Sequence, residues 1–100
     1  MPIDDGIYWK LENHKLFNVY YAYDKINSTL DDCKIHCEKT NGCDAFEKKN
    51  GGKSDCRIYG GKKPLRNPDL RDLPNWSVYM RKDRYKPDFI AKSATTTKNK

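Results

Sequence analysis

Along most of the chain apolar and polar residues alternate in short runs, and in one stretch they recur at helical spacing instead. Leu30, Cys33 and Cys37 stand at i, i+3 and i+7, which is one face of a helix. Ser28 precedes them as a candidate N-cap, and Asp31 and Asp32 place negative charge at the positive end of the helix dipole. Asn41-Gly42 supplies a left-handed stop. The spacing predicts a helix over about 29–40.

The remaining runs predict strands. Residues 7–26 are rich in aromatic and β-branched types, interrupted at Asn13-His14-Lys15, which reads as a turn between strands over 7–12 and 16–22. Residues 43–48 alternate strictly, with Cys43 and Ala45 on one face and Asp44 and Phe46 on the other. Asn50-Gly51-Gly52 is a hairpin signal, and the return strand runs from Asp55 to Tyr59. Residues 60–75, punctuated by glycine, proline and asparagine, read as a long irregular connection pinned by Leu65, Leu70 and Leu73. Trp76 to Arg81 alternates again and closes the sheet. The pattern fades after Lys82, and residues beyond Ala91 offer almost nothing to bury, so a mobile tail is expected there. The fold class expected is α+β: one α-helix packed on a small twisted antiparallel β-sheet. Its core is expected to hold Leu30, Phe46, Ile58, Trp76 or Tyr79, and Val78 or Met80. Domain boundaries follow: a lead over 1–6, one domain over 7–82, and a basic tail or linker over 83–100.

Cysteine placement adds a covalent constraint. Four cysteines allow three pairings. Cys33 and Cys37 share a helical face, so each reaches outward more readily than to the other. Cys37 and Cys43 are separated only by the helix stop and can pair across it, which leaves Cys33 to reach Cys56 on the next strand. Zinc fits poorly, because there is no Cys-x-x-Cys knuckle and no paired histidine. A small domain with little core is stapled this way in oxidising compartments.

Ser28-x-x-x-x-Cys33-x-x-x-Cys37-x-x-x-x-x-Cys43-x-x-Phe46, with Cys56 trailing in a hairpin strand, resembles the core of the PAN/apple family. The resemblance covers about a third of the chain directly, and most of residues 6–82 with the flanking strands. It implies the same pairing, Cys33 with Cys56 and Cys37 with Cys43. It also implies an extracellular adhesion module that binds protein or carbohydrate and performs no chemistry. The outer cysteine pair of the full apple pattern is missing, which places the chain nearer the shorter PAN form. The contrasting expectation is a structural building block of an extracellular assembly.

Charge separates along the chain. Residues 1–47 hold five lysines against nine carboxylates, whereas 48–66 hold seven cations against Asp55 alone. Residues 81–100 hold seven more cations against two acids. Lys48, Lys49, Lys53, Arg57, Lys62, Lys63 and Arg66 are therefore the candidate ligand-binding residues, suited to a sulfated glycan or another anionic partner. Solvated lysines that keep a sheet edge unpaired are the plainer reading of the same run. Tyr20-Tyr21-Ala22-Tyr23 is a second candidate contact surface.

Other functions find little support. The cysteines are better used as staples than as nucleophiles, and His14 and His36 have no evident catalytic partners. No phosphate loop or serine elbow occurs, no cofactor is implied, and no nucleic-acid-binding module is recognisable. No stretch reaches transmembrane length. Met1 to Gly6 lacks the basic start and apolar run of a secretory signal, so a secreted or cell-surface protein is expected in a mature or excised form. Asn27-Ser28-Thr29 and Asn75-Trp76-Ser77 are N-linked acceptor patterns that suit such a compartment.

Overall fold

A computed structural model describes the backbone of residues 2–19, 21 and 23–98, and the side chains of these except 25, 26 and 94–98. Six strands form one antiparallel sheet: β1 (Ile3–Asp5), β2 (Tyr8–Phe17), β3 (Tyr23–Ser28), β4 (Cys43–Lys49), β5 (Ser54–Gly60) and β6 (Asp69–Arg81). Their order is β1-β2-β6-β4-β5-β3, so β6 and β4 are central. Helix α1 (Leu30–Lys39) lies between β3 and β4 in the chain, and α2 (Pro87–Lys98) follows β6.

Both faces of the sheet are covered, because adjacent residues of one strand enter different cores. Tyr79 joins Tyr8, Phe46, Ile58 and the four cysteines against α1. Val78 and Met80, on either side of it, join Leu11, Leu16, Ala45, Tyr59, Leu65, Leu70, Tyr85 and Ile90 on the opposite face. The alternatives left open by alternation are thereby settled: Tyr79, Val78 and Met80 are all buried, Trp76 is half-buried, and Leu30 packs half-buried on the α1 side. Double coverage also explains why six consecutive residues of β4, Cys43 to Lys48, are buried.

The α1 core is a ring stack on a covalent frame. Phe46 pairs across the ladder with Ile58 on β5 and Tyr79 on β6. Phe46 and Tyr79 stack at 4.6 Å, and Tyr8 meets Phe46 edge-on at 5.1 Å. Cys33–Cys56 ties α1 to β5 with Cα atoms 6.2 Å apart, and Cys37–Cys43 crosses the helix stop with Cα atoms 5.5 Å apart. Closing a 23-residue separation, Cys33–Cys56 stabilises by about 3 kcal/mol through the unfolded chain.

Several expectations need correction. The N-cap is Thr29 rather than Ser28: the Thr29 hydroxyl accepts from the Asp32 amide at 3.1 Å, while Ser28 is buried in β3. Cys43 and Ala45 do not share a face. The ladder shifts between them, so Cys43 turns toward α1 with Phe46 while Ala45 joins the other core. Asn13 is no turn; it takes a left-handed φ of 57° in a bulge, and β2 runs through it as one ten-residue strand. The strand expected over 16–22 differs: Leu16 and Phe17 are the end of β2, the described residues 18, 19 and 21 are not strand, β3 begins at Tyr23, and Tyr20 and Ala22 lie outside the described residues. The irregular connection ends at Pro68, because β6 begins at Asp69 and pairs Leu70 with Leu16. A second helix, α2, occupies most of the stretch expected as a tail, and buried Tyr85 and Ile90 tie it to the core. The mobility expected for Thr95 to Lys100 falls partly outside the described residues, since 99 and 100 are not placed.

Gly60 fixes the end of β5. Its φ is 111°, and a Cβ there would crowd the Gly42 carbonyl and come within 2.6 Å of the Asp44 amide. Gly60→Ala is expected to cost about 3 kcal/mol from backbone strain and overpacking together. A lowered urea midpoint with an unchanged m-value is the expected readout.

Candidate anion-binding groove

The seven cations singled out by sequence do not form one patch. β5 spans seven residues, about 20 Å at strand rise. Lys48, Lys49 and Lys53 lie at its hairpin end, and Lys62, Lys63 and Arg66 lie in the loop that follows its other end.

At the hairpin end, Lys48 is turned inward. It is 4% exposed, and its Nζ donates to the carbonyls of Lys49 at 2.9 Å and Gly51 at 3.3 Å and to the Ser54 hydroxyl. Burial lowers its pKa. This cation closes the turn, which leaves Lys49 and Lys53 as the exposed cations of the tip.

Arg57, in mid-strand, lies among rings and carboxylates. Its guanidinium lies 5.1 Å from the Tyr21 ring and 5.6 Å from the Trp76 ring, and it faces Asp24 at 3.8 Å and Glu47 at 3.7 Å. The row continues with Lys15 over Trp76 and Phe17 at 5.2 and 5.4 Å, and Arg71 over Phe17 at 5.1 Å. Glu47 meets Lys15 at 3.0 Å, and Asp69 meets Arg71 at 3.0 Å. Three cations thus face Asp24, Glu47 and Asp69, so the row has no surplus charge with which to draw an anion. Of the tyrosine run, the described rings Tyr21 and Tyr23 each pack on a neighbour. Tyr21 meets Tyr59 edge-on at 6.5 Å besides stacking on Arg57, and Tyr23 stacks on His36 at 4.3 Å.

The loop end differs. Residues 61–67 border three adjoining depressions of about 740, 720 and 330 Å³, two of which share Lys63 and Gly60 and two of which share Pro64, Leu65 and Arg66. The largest lies between the loop and the start of α2, where Arg84, Lys86 and exposed Phe89 line it. One buried carboxylate sets this geometry. Asp44 Oδ2 accepts from the Leu65 amide and Oδ1 from Arg84 NH1, each at 2.8 Å. The Tyr85 hydroxyl donates to the Leu65 carbonyl, and the Leu65 side chain is buried. Leu65 is therefore held by its amide, its carbonyl and its side chain, and the flanking cations project from a fixed backbone.

Charge at the groove is one-sided. Asp44 is committed to Arg84, and Asp83 pairs with Arg81 at 3.0 Å. Lys62, Arg66 and Lys86 are exposed and, among the described residues, meet no carboxylate, and Lys63 adds a fourth positive charge. Arg84 and Lys86 escaped the sequence reading because they fall in the stretch taken for a tail. Pro87 and Asp88, a first-turn proline and acid ahead of Ile90, are the helix-start signal that marks them.

All four cysteines are in disulfides. His14 on β2 meets the Glu12 carbonyl at 2.8 Å and Asp72 of β6 at 3.0 Å, and His36 lies on α1 against Tyr23. No helix among the described residues is long and apolar enough to cross a membrane. Comparison with protein-family models, curated proteins and solved structures returns no match.

Proposed function

We propose that this chain is an extracellular binding module that holds an anionic partner, a sulfated glycan in the first instance, in the groove around residues 61–67. The observation that carries the proposal is the groove's charge imbalance on a clamped backbone. Lys62, Arg66 and Lys86 project there while the nearby carboxylates Asp44 and Asp83 are paired with Arg84 and Arg81. The backbone that carries them is already held at Leu65, so binding need order only the side chains. The helix-on-sheet arrangement and the pairs Cys33–Cys56 and Cys37–Cys43 agree with what the PAN/apple resemblance implies, and support the reading of an adhesion module. Disulfides are compatible with an extracellular address.

Retention on a heparin column tests the site. The intact chain is expected to bind at low salt and to elute as salt rises, because exposed charges are screened beyond about 10 Å at 0.1 M. Lys62→Glu, Lys63→Glu and Arg66→Glu together are expected to abolish retention with the far-ultraviolet spectrum unchanged. Lys49→Glu with Lys53→Glu, at the hairpin tip, is expected to leave it nearly intact. Retention of the loop variant at wild-type salt would overturn the groove as the site, and loss in the tip variant alone would move the site to the hairpin.

A further inference from the structure

The two N-linked acceptor patterns lie at the hairpin end of the sheet, away from the groove, and they differ in access. Asn27 is the penultimate residue of β3, an edge strand. The β3–β5 ladder breaks between Lys25 and Ser28, and Asn27 sits in that break with φ 54°. Its side chain is exposed and, among the described residues, its amide has no hydrogen-bond partner. The hydroxyl residue of the pattern, Thr29, is half-buried at the N-cap of α1.

The second pattern is enclosed. Asn75 is exposed, but its carbonyl accepts from the Asn50 amide at 2.7 Å. Ser77 lies inside central strand β6, 3% exposed, with its hydroxyl 3.4 Å from Asn50 Oδ1.

We propose that Asn27 is an N-glycan acceptor, a reading that rests on the chain being exported. The donor class is an oligosaccharide carried on a lipid diphosphate. Asn27 Nδ2 forms a bond to the anomeric carbon of the sugar while the bond from that carbon to the diphosphate oxygen breaks. The bonding pair leaves with the lipid diphosphate, and Nδ2 loses one proton to a base of the transferase. A sugar at Asn27 has a position that matters for the surface. Ser28 pairs with Ser54, the first strand residue after the hairpin tip. The glycan therefore covers the open β3 edge and stands beside Lys53, which guards the edge against strand addition. The groove, at the opposite end of β5, stays uncovered.

The test expresses the whole chain behind a cleavable secretory leader in a eukaryotic host and collects it from the medium. Intact mass is read before and after an amidase that removes Asn-linked glycans and leaves aspartate at the acceptor. The wild type is expected to carry an amidase-sensitive increment whose aspartate maps to position 27. Asn27→Asp keeps a residue that tolerates the left-handed backbone and is expected to lose that increment; Asn75→Asp is expected to keep it. Peptide mapping of the wild type reads the site directly, whatever the yield of the variants. An unmodified secreted wild type, or an increment that persists in Asn27→Asp, would overturn the inference. Because the leader imposes export, such a result counts against Asn27 alone and leaves the heparin test of the groove standing.

Discussion

Glu47→Leu is expected to destabilise the protein by about 3–5 kcal/mol, since it removes one partner of a buried charge cluster and strands the others. Glu47 is fully buried in central strand β4, in register with Arg57 on β5 and Val78 on β6. One carboxylate oxygen accepts from the Leu16 amide at 3.1 Å. The other lies 3.0 Å from Lys15 Nζ and 3.7 Å from Arg57. Leucine fills a similar volume, so a cavity is not the cause. The cost comes from an orphaned Leu16 amide, from Lys15 left without its carboxylate, and from Arg57 left with Asp24 alone at 3.8 Å. Adding Lys15→Met to Glu47→Leu is expected to recover part of the loss, because it withdraws one stranded charge. Urea unfolding of the four proteins of that cycle measures the coupling. A loss under about 1 kcal/mol in the single variant would mean that water reaches the site and that the cation–aromatic row stands without its carboxylate.

The parts of the fold that were legible in sequence are those fixed by neighbours in the chain. The helix stop at Asn41-Gly42, the Asn50-Gly51-Gly52 hairpin and the cysteine spacing are local signals, and α1, β4, β5 and both disulfides follow them. The parts that were not legible depend on pairing between distant strands. Asn13 reads as a turn by composition, yet the pairing of β2 with β6 continues on both sides of it. Pro74 and Asn75 read as breakers for a related reason. The β2–β6 register jumps from Ser77 to Asp72 opposite Glu12 and His14, so Leu73, Pro74 and Asn75 meet no β2 partner and the proline needs no ladder hydrogen bond there. The candidate site was half legible. Sequence places seven cations within nineteen residues, but a strand separates its two ends by about 20 Å. It also says nothing of Lys48 folding inward, or of Asp44 reaching Leu65, 21 residues on.

Stability is expected to be flat from about pH 7 to 9 and to fall steeply above about pH 10, where unfolded tyrosines ionise. Among the described residues four tyrosines are buried, Tyr8 and Tyr79 on the α1 side and Tyr59 and Tyr85 on the other. Burial is the main force holding each phenol protonated. The Glu38 carboxylate adds to it at Tyr8, Glu47 at Tyr59 and Asp44 at Tyr85. Tyr79 is pushed up to about 12 by burial, with Asp5 next in effect. A folded pKa above the unfolded one gives stability that is complete below about pH 10 and lost as pH rises toward the folded value, because the unfolded chain then binds fewer protons. Each phenol contributes a slope of up to about 1.4 kcal/mol per pH unit, so four approach about 5 kcal/mol per unit, comparable with the whole stability of a small domain. Lys48 works in the opposite sense, since burial lowers its pKa, but it is one group against four. With every cysteine in a disulfide, no resident thiolate is present to start exchange, so a brief alkaline exposure, too short for hydroxide to cleave the disulfides, is expected to reverse on neutralisation. The share of the phenolate absorbance that comes from these buried rings is expected to rise together with the loss of far-ultraviolet circular dichroism, in one cooperative step. Tyr79→Phe is expected to move that step to higher pH by withdrawing one of the four groups. Phenolate absorbance that rises fully near pH 10 while the circular dichroism stays native would show these rings open to solvent, and would sink the double-sided core on which the expectation rests.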